Sequence, residues 1–142
     1  MLTLAIIKPD AVAARATGKI LAHLEQAGFA VRAARLVRLT QSRAEQFYAV
    51  HRERPFFRSL VTFMTSGPAL ALALEREDAV AALREVIGAT DPAEAKPGTI
   101  RRLYAQSKER NAIHASDAPE TAQREVRFFF PDAELAQLLG PE

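Results

Sequence analysis

Histidines are the residues most able to act as nucleophiles in this sequence, because the chain has three of them and no cysteine. His23 falls in a predicted helix and His51 in an arginine-rich stretch, so neither has an obvious catalytic setting. His114 has polar neighbours, and Glu125 lies two turns into the next predicted helix. A carboxylate there could orient the imidazole and increase its nucleophilicity. Spacing alone also allows a polar histidine beside a helix cap, and both interpretations stay open at this point.

Two arginines and a threonine suggest a site for phosphate groups. Arg84 lies near the end of a predicted helix, Thr90 lies in a long loop, and Arg101 comes just past that loop. Guanidinium groups bind phosphate oxygens well, although a single arginine is more often a solvated surface residue. Neither common glycine-rich phosphate loop is present in the sequence, so any phosphate site must be built from side chains.

Composition predicts a folded protein of one domain, residues 1–142. Apolar residues make up 49% of the chain and charged residues 25%, the balance of a globular chain. The net charge of only +2 gives no reason to expect nucleic-acid binding. The first residues lack signal-peptide features, and the longest apolar stretch, Pro68 to Leu74, is far shorter than the roughly 20 residues that span a bilayer. We therefore expect a cytoplasmic protein that does not enter membranes.

Hydrophobic periodicity predicts alternating strands and helices. The predicted strands are Leu2–Ile7, Phe29–Leu39, Ala69–Leu74 and Ala112–His114. The predicted helices are Gly18–Ala27, one opening at a Ser42 and Glu45 capping box, Phe57–Met64, Asp78–Ile87, and one opening near Asp117 and Glu120 and closed by Pro131. Such an order favours an α+β sandwich in which helices cover an antiparallel sheet.

Three segments carry more specific expectations. The wholly apolar strand Ala69–Leu74 should be central in the sheet, because both of its faces must be buried. Arginines spaced by three in Phe29–Leu39 break the period of two and predict a bulge or a mixed face. Gly88 to Gly98 has no period and is long for a loop in a compact domain, which is typical of a functional loop.

The same residues carry a close resemblance to the nucleoside diphosphate kinase family. The resemblance runs in order from about Thr3 to about Leu135. The matching motifs are Ile7-Lys8-Pro9-Asp10, Arg54-Pro55-Phe56-Phe57, Ser66-Gly67-Pro68, Pro97-Gly98-Thr99-Ile100-Arg101 and Asn111-Ala112-Ile113-His114-Ala115-Ser116-Asp117. It implies a ferredoxin-like βαββαβ core with a helical hairpin inserted after the second strand and a long loop before the last strand.

The resemblance also implies an activity and a set of site residues. The activity is transfer of the γ-phosphate of a nucleoside triphosphate to a nucleoside diphosphate, by a ping-pong mechanism through phosphorylated His114. Glu125 and Ser116 would help to hold the histidine. Residues expected around the transferred phosphate and the sugar are Lys8, Tyr48 and Asn111. Residues expected at the other phosphates are Arg84, Thr90 and Arg101. Phe56 would stack on the base, and Mg²⁺ would bind through the nucleotide phosphates rather than in a protein cage.

Two positions depart from the family pattern. Ala115 stands where the family usually has glycine, and Lys108 stands where many members have an aliphatic residue beside the base. The family glycine could serve either a positive φ or the need for a small side chain, and we favour small size. The longer tail that helps many members form hexamers is not matched. The resemblance implies a homo-oligomer built from dimers, and it leaves tetramer or hexamer open.

Two other functions compete with the kinase interpretation. One is a noncatalytic module of ferredoxin-like fold that binds nucleic acid or a protein partner, encouraged by the arginines of Phe29 to Thr40. RNA-binding sheets of this topology display aromatic residues on central strands, and Ala69–Leu74 has none. The other is a regulatory paralog that binds nucleotide without transferring phosphate, which the intact set of matched side chains disfavours.

Overall fold

A four-stranded antiparallel sheet forms the centre of the molecule in a computed structural model, which describes residues 1–140. The strands are β1 (Leu2–Ile7), β2 (Ala30–Val37), β3 (Ala69–Glu75) and β4 (Ile113–Ala115). Their order across the sheet is β2-β3-β1-β4, and every neighbouring pair is antiparallel. This is the predicted ferredoxin-like arrangement, and the prediction that Ala69–Leu74 is a central strand is confirmed.

Eight α-helices and one short 3-10 helix are present among the described residues. The first four helices are α1 (Pro9–Ala13), α2 (Thr17–Gln26), α3 (Gln41–Phe47) and α4 (Phe57–Met64). The others are α5 (Ala79–Ile87), α6 (Ile100–Tyr104), α7 (Pro119–Phe129) and α8 (Asp132–Leu139), while the 3-10 helix covers Ala49–His51. Helices α3 and α4 form the predicted insertion between β2 and β3. Within residues 1–140, no helix is long and apolar enough to cross a membrane.

The two faces of the sheet bury two different hydrophobic clusters. Strand β3 turns Ala71 and Ala73 to one face and Leu72 and Leu74 to the other, because side chains alternate along a strand. The alanine face leaves room for the aromatic side chains of α3, α4 and α7, which include Phe47, Phe57, Phe63 and Phe129. The leucine face packs against smaller aliphatic residues of α2 and α5. The alternation of alanine and leucine in β3 therefore gives one face small side chains and the other face large ones.

The irregularity predicted in the second strand is confirmed. The register between β2 and β3 shifts between Val31 and Ala33, as expected of a bulge. Arg32 lies at the shift, and its guanidinium pairs with Glu75 of β3 at 3.0 Å. One extra residue in the strand thus accommodates the arginine spacing of three.

Several predicted boundaries were wrong. Thr40 rather than Ser42 caps α3, because Thr40 is extended and its hydroxyl accepts the Arg43 N–H at 3.1 Å. Strand β4 begins one residue later than predicted, since Ala112 has a φ of 74° and cannot continue a strand. The start of α7 agrees with the prediction, because the helix begins at Pro119, between Asp117 and Glu120.

Three helices were missed by the sequence analysis. Helices α1 and α6 have five residues each, too few to show a helical period. Helix α8 begins just beyond Pro131, where the sequence analysis ended its last helix. The segment Gly88 to Gly98 contains neither helix nor strand, as predicted.

The long loop is anchored to the end of α5 by close contact between Gly88 and Thr99. Gly88 has a φ of 88°, and a Cβ there would lie 2.6 Å from the Thr99 hydroxyl oxygen. Thr99 also caps α6 by accepting the Arg102 N–H. Glycine is therefore required at position 88 both by backbone conformation and by space.

We predict that Gly88→Ala destabilises the protein more than Gly98→Ala. Gly98 has a similar φ of 87°, but nothing lies within 4 Å of its Cβ position. Gly98→Ala should lower the free energy of unfolding by about 1 kcal/mol, and Gly88→Ala by a further 1–3 kcal/mol, roughly the cost of overpacking. Urea unfolding of both variants measures the difference. Equal losses would show that Thr99 moves away without cost.

Candidate active site

The histidine predicted to act as nucleophile lies in the middle of β4, opposite Ile6 of β1. Its Nε2 lies 2.8 Å from Oε1 of Glu125 on α7, and the Ser116 hydroxyl donates to the same oxygen at 2.7 Å. An ionised carboxylate only accepts hydrogen bonds, so in the neutral imidazole of His114 the proton lies on Nε2 and Nδ1 keeps its lone pair. The side chains of His114 and Glu125 are 18% and 10% exposed, which leaves the imidazole accessible from one side.

Two aromatic rings of the helical insertion line the other sides of the imidazole. Phe47 meets the His114 ring edge-on at 5.3 Å, and Tyr48 does so at 6.1 Å between ring centroids. The Tyr48 hydroxyl is buried and has no hydrogen-bond partner among the described residues. Burial, with a smaller effect of the Glu125 charge, raises the pKa of Tyr48, so the phenol stays neutral and able to donate. Tyr48 was a predicted site residue, whereas Phe47 was not.

A buried lysine and an asparagine form the next part of the site. The Lys8 ammonium donates to the Asn111 side-chain oxygen at 2.8 Å, and the Asn111 amide donates to the Thr90 carbonyl at 3.4 Å. Burial, and to a smaller extent the Arg101 charge, lower the pKa of Lys8 to about 8 against the opposite effect of Asp10 and Glu109. The chain of contacts joins the start of α1, the long loop and the residues before β4.

The two predicted phosphate-binding arginines contact the backbone of β4 on either side of the histidine. Arg101 is buried and donates to the carbonyls of Ile113 at 2.8 Å and Gly88 at 3.1 Å. Arg84 donates to the Ala115 carbonyl at 3.5 Å. Burial, and to a smaller extent the Arg84 charge, lower the pKa of Arg101 to about 10. Its Nε has no partner within the part of the chain that the structure describes.

Phe56 is the predicted site residue that these contacts do not join to the cluster. It precedes α4, is 46% exposed, and lies 5.3 Å from His51 between ring centroids. An exposed ring at this position offers a free face for stacking. Thr90 is joined to the cluster only through its backbone carbonyl.

Charge at the site is positive. Within residues 1–140, Lys8, Arg84 and Arg101 form no salt bridge with a carboxylate, and no group of three acidic or histidine side chains could hold a metal ion. A buried cation without a counterion is costly, so a polyanionic ligand would be strongly favoured here.

Ala115, the departure from the family pattern, is extended and pairs with Ala5 of β1. It is buried, and the strand conformation excludes a positive φ. The structure therefore supports small size as the reason for a small residue beside His114.

Comparison with known proteins points to one family. Residues 2–135 match the family model described as nucleoside diphosphate kinase. The nucleoside diphosphate kinase of Halorhodospira halophila is 57% identical over 94% of both chains. That of Sorangium cellulosum is 58% identical over 94% of this chain and 93% of the relative.

Solved structures of the same family superpose closely on this chain. The nucleoside diphosphate kinase of Aquifex aeolicus is 51% identical, with a TM-score of 0.92 over 94% of this chain and 96% of that one. The enzyme of Halobacterium salinarum, solved in complex with CDP, is 38% identical, with a TM-score of 0.90 over 94% and 90% of the two chains. Sequence and fold comparisons thus agree, and the chain belongs to the nucleoside diphosphate kinase family.

Proposed function

We propose that this chain moves the terminal phosphate of a nucleoside triphosphate to a nucleoside diphosphate through phosphorylated His114. The proposal rests on the hydrogen bond between His114 Nε2 and Glu125, which leaves Nδ1 available as the nucleophile. Arg101 and Arg84 bond the backbone on either side of the same histidine. A noncatalytic binding module would not need an oriented imidazole, and the family relationship does not favour it.

Transfer divides into two in-line displacements at one nitrogen. In the first, the Nδ1 lone pair attacks the γ-phosphorus, and the bond to the bridging oxygen breaks to release the diphosphate. The imidazole becomes positively charged, and Glu125 stabilises that charge through the proton on Nε2. In the second, a terminal oxygen of another nucleoside diphosphate attacks the same phosphorus and the P–N bond breaks. Donor and acceptor therefore use the site in turn, which gives ping-pong kinetics.

The phosphates are proposed to bind where donors lack partners. The Tyr48 hydroxyl and Arg101 Nε are buried without partners among the described residues, and phosphate oxygens would satisfy both. Lys8 and Arg84 add positive charge, and the Thr90 hydroxyl adds a further donor. Fixed positive groups are most effective where negative charge is redistributed during transfer.

The rest of the nucleotide is assigned by side-chain chemistry. The exposed ring of Phe56 stacks on the base, and stacking tolerates any base because each has a π face. The buried amide of Asn111 contacts the sugar. Mg²⁺ fits as an ion held by phosphate oxygens, since the described residues offer no carboxylate cluster for it. When bound there, it neutralises phosphate charge. We further propose a homo-oligomer built from dimers, tetramer or hexamer.

We predict that His114→Ala abolishes phosphoenzyme formation. Incubation of the wild-type protein with γ-labelled ATP and Mg²⁺ should give an acid-labile, base-stable label, as expected of phosphohistidine. His23→Ala is the matched control, because His23 lies on α2 and should leave labelling intact. Label and transfer that persist in His114→Ala would place the nucleophile elsewhere.

We predict different effects at the two arginines. Arg84→Ala should lower turnover by at least about ten-fold with little change in stability, because its one side-chain hydrogen bond within residues 1–140 is long, at 3.5 Å. Arg101→Ala should lower both, because Arg101 is buried and bonds two carbonyls. Steady-state kinetics and thermal unfolding separate these effects, with exposed Arg124→Ala as the control. Wild-type turnover in both variants would exclude them from the phosphate site.

We predict that kcat/KM falls as pH rises through about 8, the pKa of Lys8 in the free protein. The sign follows because only the protonated ammonium attracts phosphate, and burial makes it lose its proton earlier than an ordinary lysine. Lys8→Arg should have lower activity but no such decline, since guanidinium remains charged. Profiles of kcat/KM against pH test this. A decline of equal midpoint in Lys8→Arg would assign it to another group.

A further inference from the structure

A buried carboxylate that the transfer mechanism does not use lies at the start of α1. Asp10 accepts the Ala112 N–H on Oδ2 at 3.1 Å, whereas its Oδ1 is buried without a partner among the described residues. Burial raises the pKa of Asp10, which shows that the surroundings disfavour its charge. Burial of a carboxylate costs free energy, so we expect an interaction of Asp10 that offsets this cost.

The residue that Asp10 holds has an unusual backbone conformation. Ala112 has a φ of 74°, a value disfavoured for residues with a Cβ, and it is fully buried. Such conformations persist only where surrounding contacts enforce them. Ala112 stands between Asn111 and the first residue of β4, so its conformation decides how both are presented.

Lys8 makes two more hydrogen bonds to the segment that contains Asn111 and Ala112. The Lys8 N–H donates to the Ala112 carbonyl at 2.9 Å, and the Lys8 ammonium donates to the Asn111 side chain at 2.8 Å. Both backbone groups of Ala112 are therefore bonded by Lys8 or Asp10. Of the groups that bond Ala112, only the Asp10 carboxylate, which accepts its N–H, is a side chain without a role in the proposed transfer.

We propose that Asp10 is a positioning residue for phosphate transfer: its carboxylate holds Ala112 in the left-handed conformation and so places Asn111 and the β4 segment that carries His114. The inference rests on the proposed function, because its kinetic effect is read at His114. Among the described residues, no side-chain hydrogen bond or salt bridge joins Asp10 to His114 or to a phosphate-site residue, so Asp10 acts through the backbone of Ala112 and through its charge near Lys8.

The charge of Asp10 has a second, separable effect on Lys8. Burial and the Arg101 charge lower the pKa of Lys8, whereas the charges of Asp10 and Glu109 raise it. Loss of the Asp10 charge should therefore move the decline of kcat/KM to lower pH. A purely structural role of Asp10 would not produce this shift.

The first experiment is a double-mutant cycle between Asp10→Ala and Ala112→Gly. Glycine adopts a positive φ without help, so the carboxylate should matter less in the Ala112→Gly background. We expect Asp10→Ala to lower the rate of His114 phosphorylation by about ten-fold or more in the wild-type background, and to lower it clearly less beside Ala112→Gly. Equal losses in the two backgrounds would overturn the proposal. The exposed Asp132→Ala, also in the first turn of a helix, is the control.

The second experiment uses Asp10→Asn, which keeps an acceptor for the Ala112 N–H and should fold even if Asp10→Ala does not. We expect near-normal phosphorylation at neutral pH and a decline of kcat/KM that begins at lower pH than in the wild type. An unchanged pH profile together with an unchanged rate in Asp10→Ala would contradict both effects.

Failure of the proposed function is distinguishable from failure of this inference. If the wild-type protein forms no phosphohistidine, the same cycle is read by urea unfolding, which needs no activity. Asp10→Ala should then lower the unfolding midpoint more in the wild-type background than beside Ala112→Gly. Equal shifts of the midpoint would show that Asp10 does not stabilise the backbone conformation of Ala112, whatever the protein catalyses.

Discussion

The outer edge of β4 is the constraint on which the arrangement of the site depends. This strand is last in the sheet, so only one of its edges pairs with β1. Backbone groups of Ile113 and Ala115 face the free edge, where they accept Arg101 and Arg84. His114 stands between them and turns its ring toward Glu125. One short strand thus fixes the spacing between the imidazole and two guanidinium groups, without any need for those side chains to touch each other.

Buried positive charge is the main electrostatic feature of the molecule. Lys8 and Arg101 are both withdrawn from water, and burial is the main cause of the lowered pKa of each. The Arg101 charge lowers the pKa of Lys8 further, and the Arg84 charge does the same for Arg101, whereas Asp10 and Glu109 offset only part of the effect on Lys8. Such a site is unfavourable when empty of anions and favourable when a polyphosphate enters. The neutral, buried phenol of Tyr48 adds a donor without adding charge. The affinity for phosphate therefore depends on the burial of Lys8, Arg101 and Tyr48 as much as on the positive charges.

Patterns confined to one segment were the ones that the sequence predicted well. The alternation in Ala69–Leu74 predicted a central strand because both faces carry apolar groups, and the arginine spacing in β2 predicted its bulge. Thr40 and Ser42 both suit an N-cap, and only the path of the chain decides between them. The packing of Phe47 on His114 depends on how the inserted hairpin folds against the sheet, which no local pattern encodes. Asp10 stood in a matched motif, but its partner Ala112 is distant in sequence. The roles of the site residues remain predictions.

The buried donors without partners also make the stability of the fold depend on a bound anion. Tyr48 and Arg101 each keep a buried polar atom without a partner among the described residues, and each belongs to a different element around β4. An anion that bonds both would crosslink the inserted hairpin, α6 and the sheet. Binding to the native state alone adds stability as the logarithm of ligand concentration, about 2.7 kcal/mol at a hundred times Kd. Resistance to heat and proteases would then track the nucleotide pool, so that the protein is least durable when its substrates are scarce.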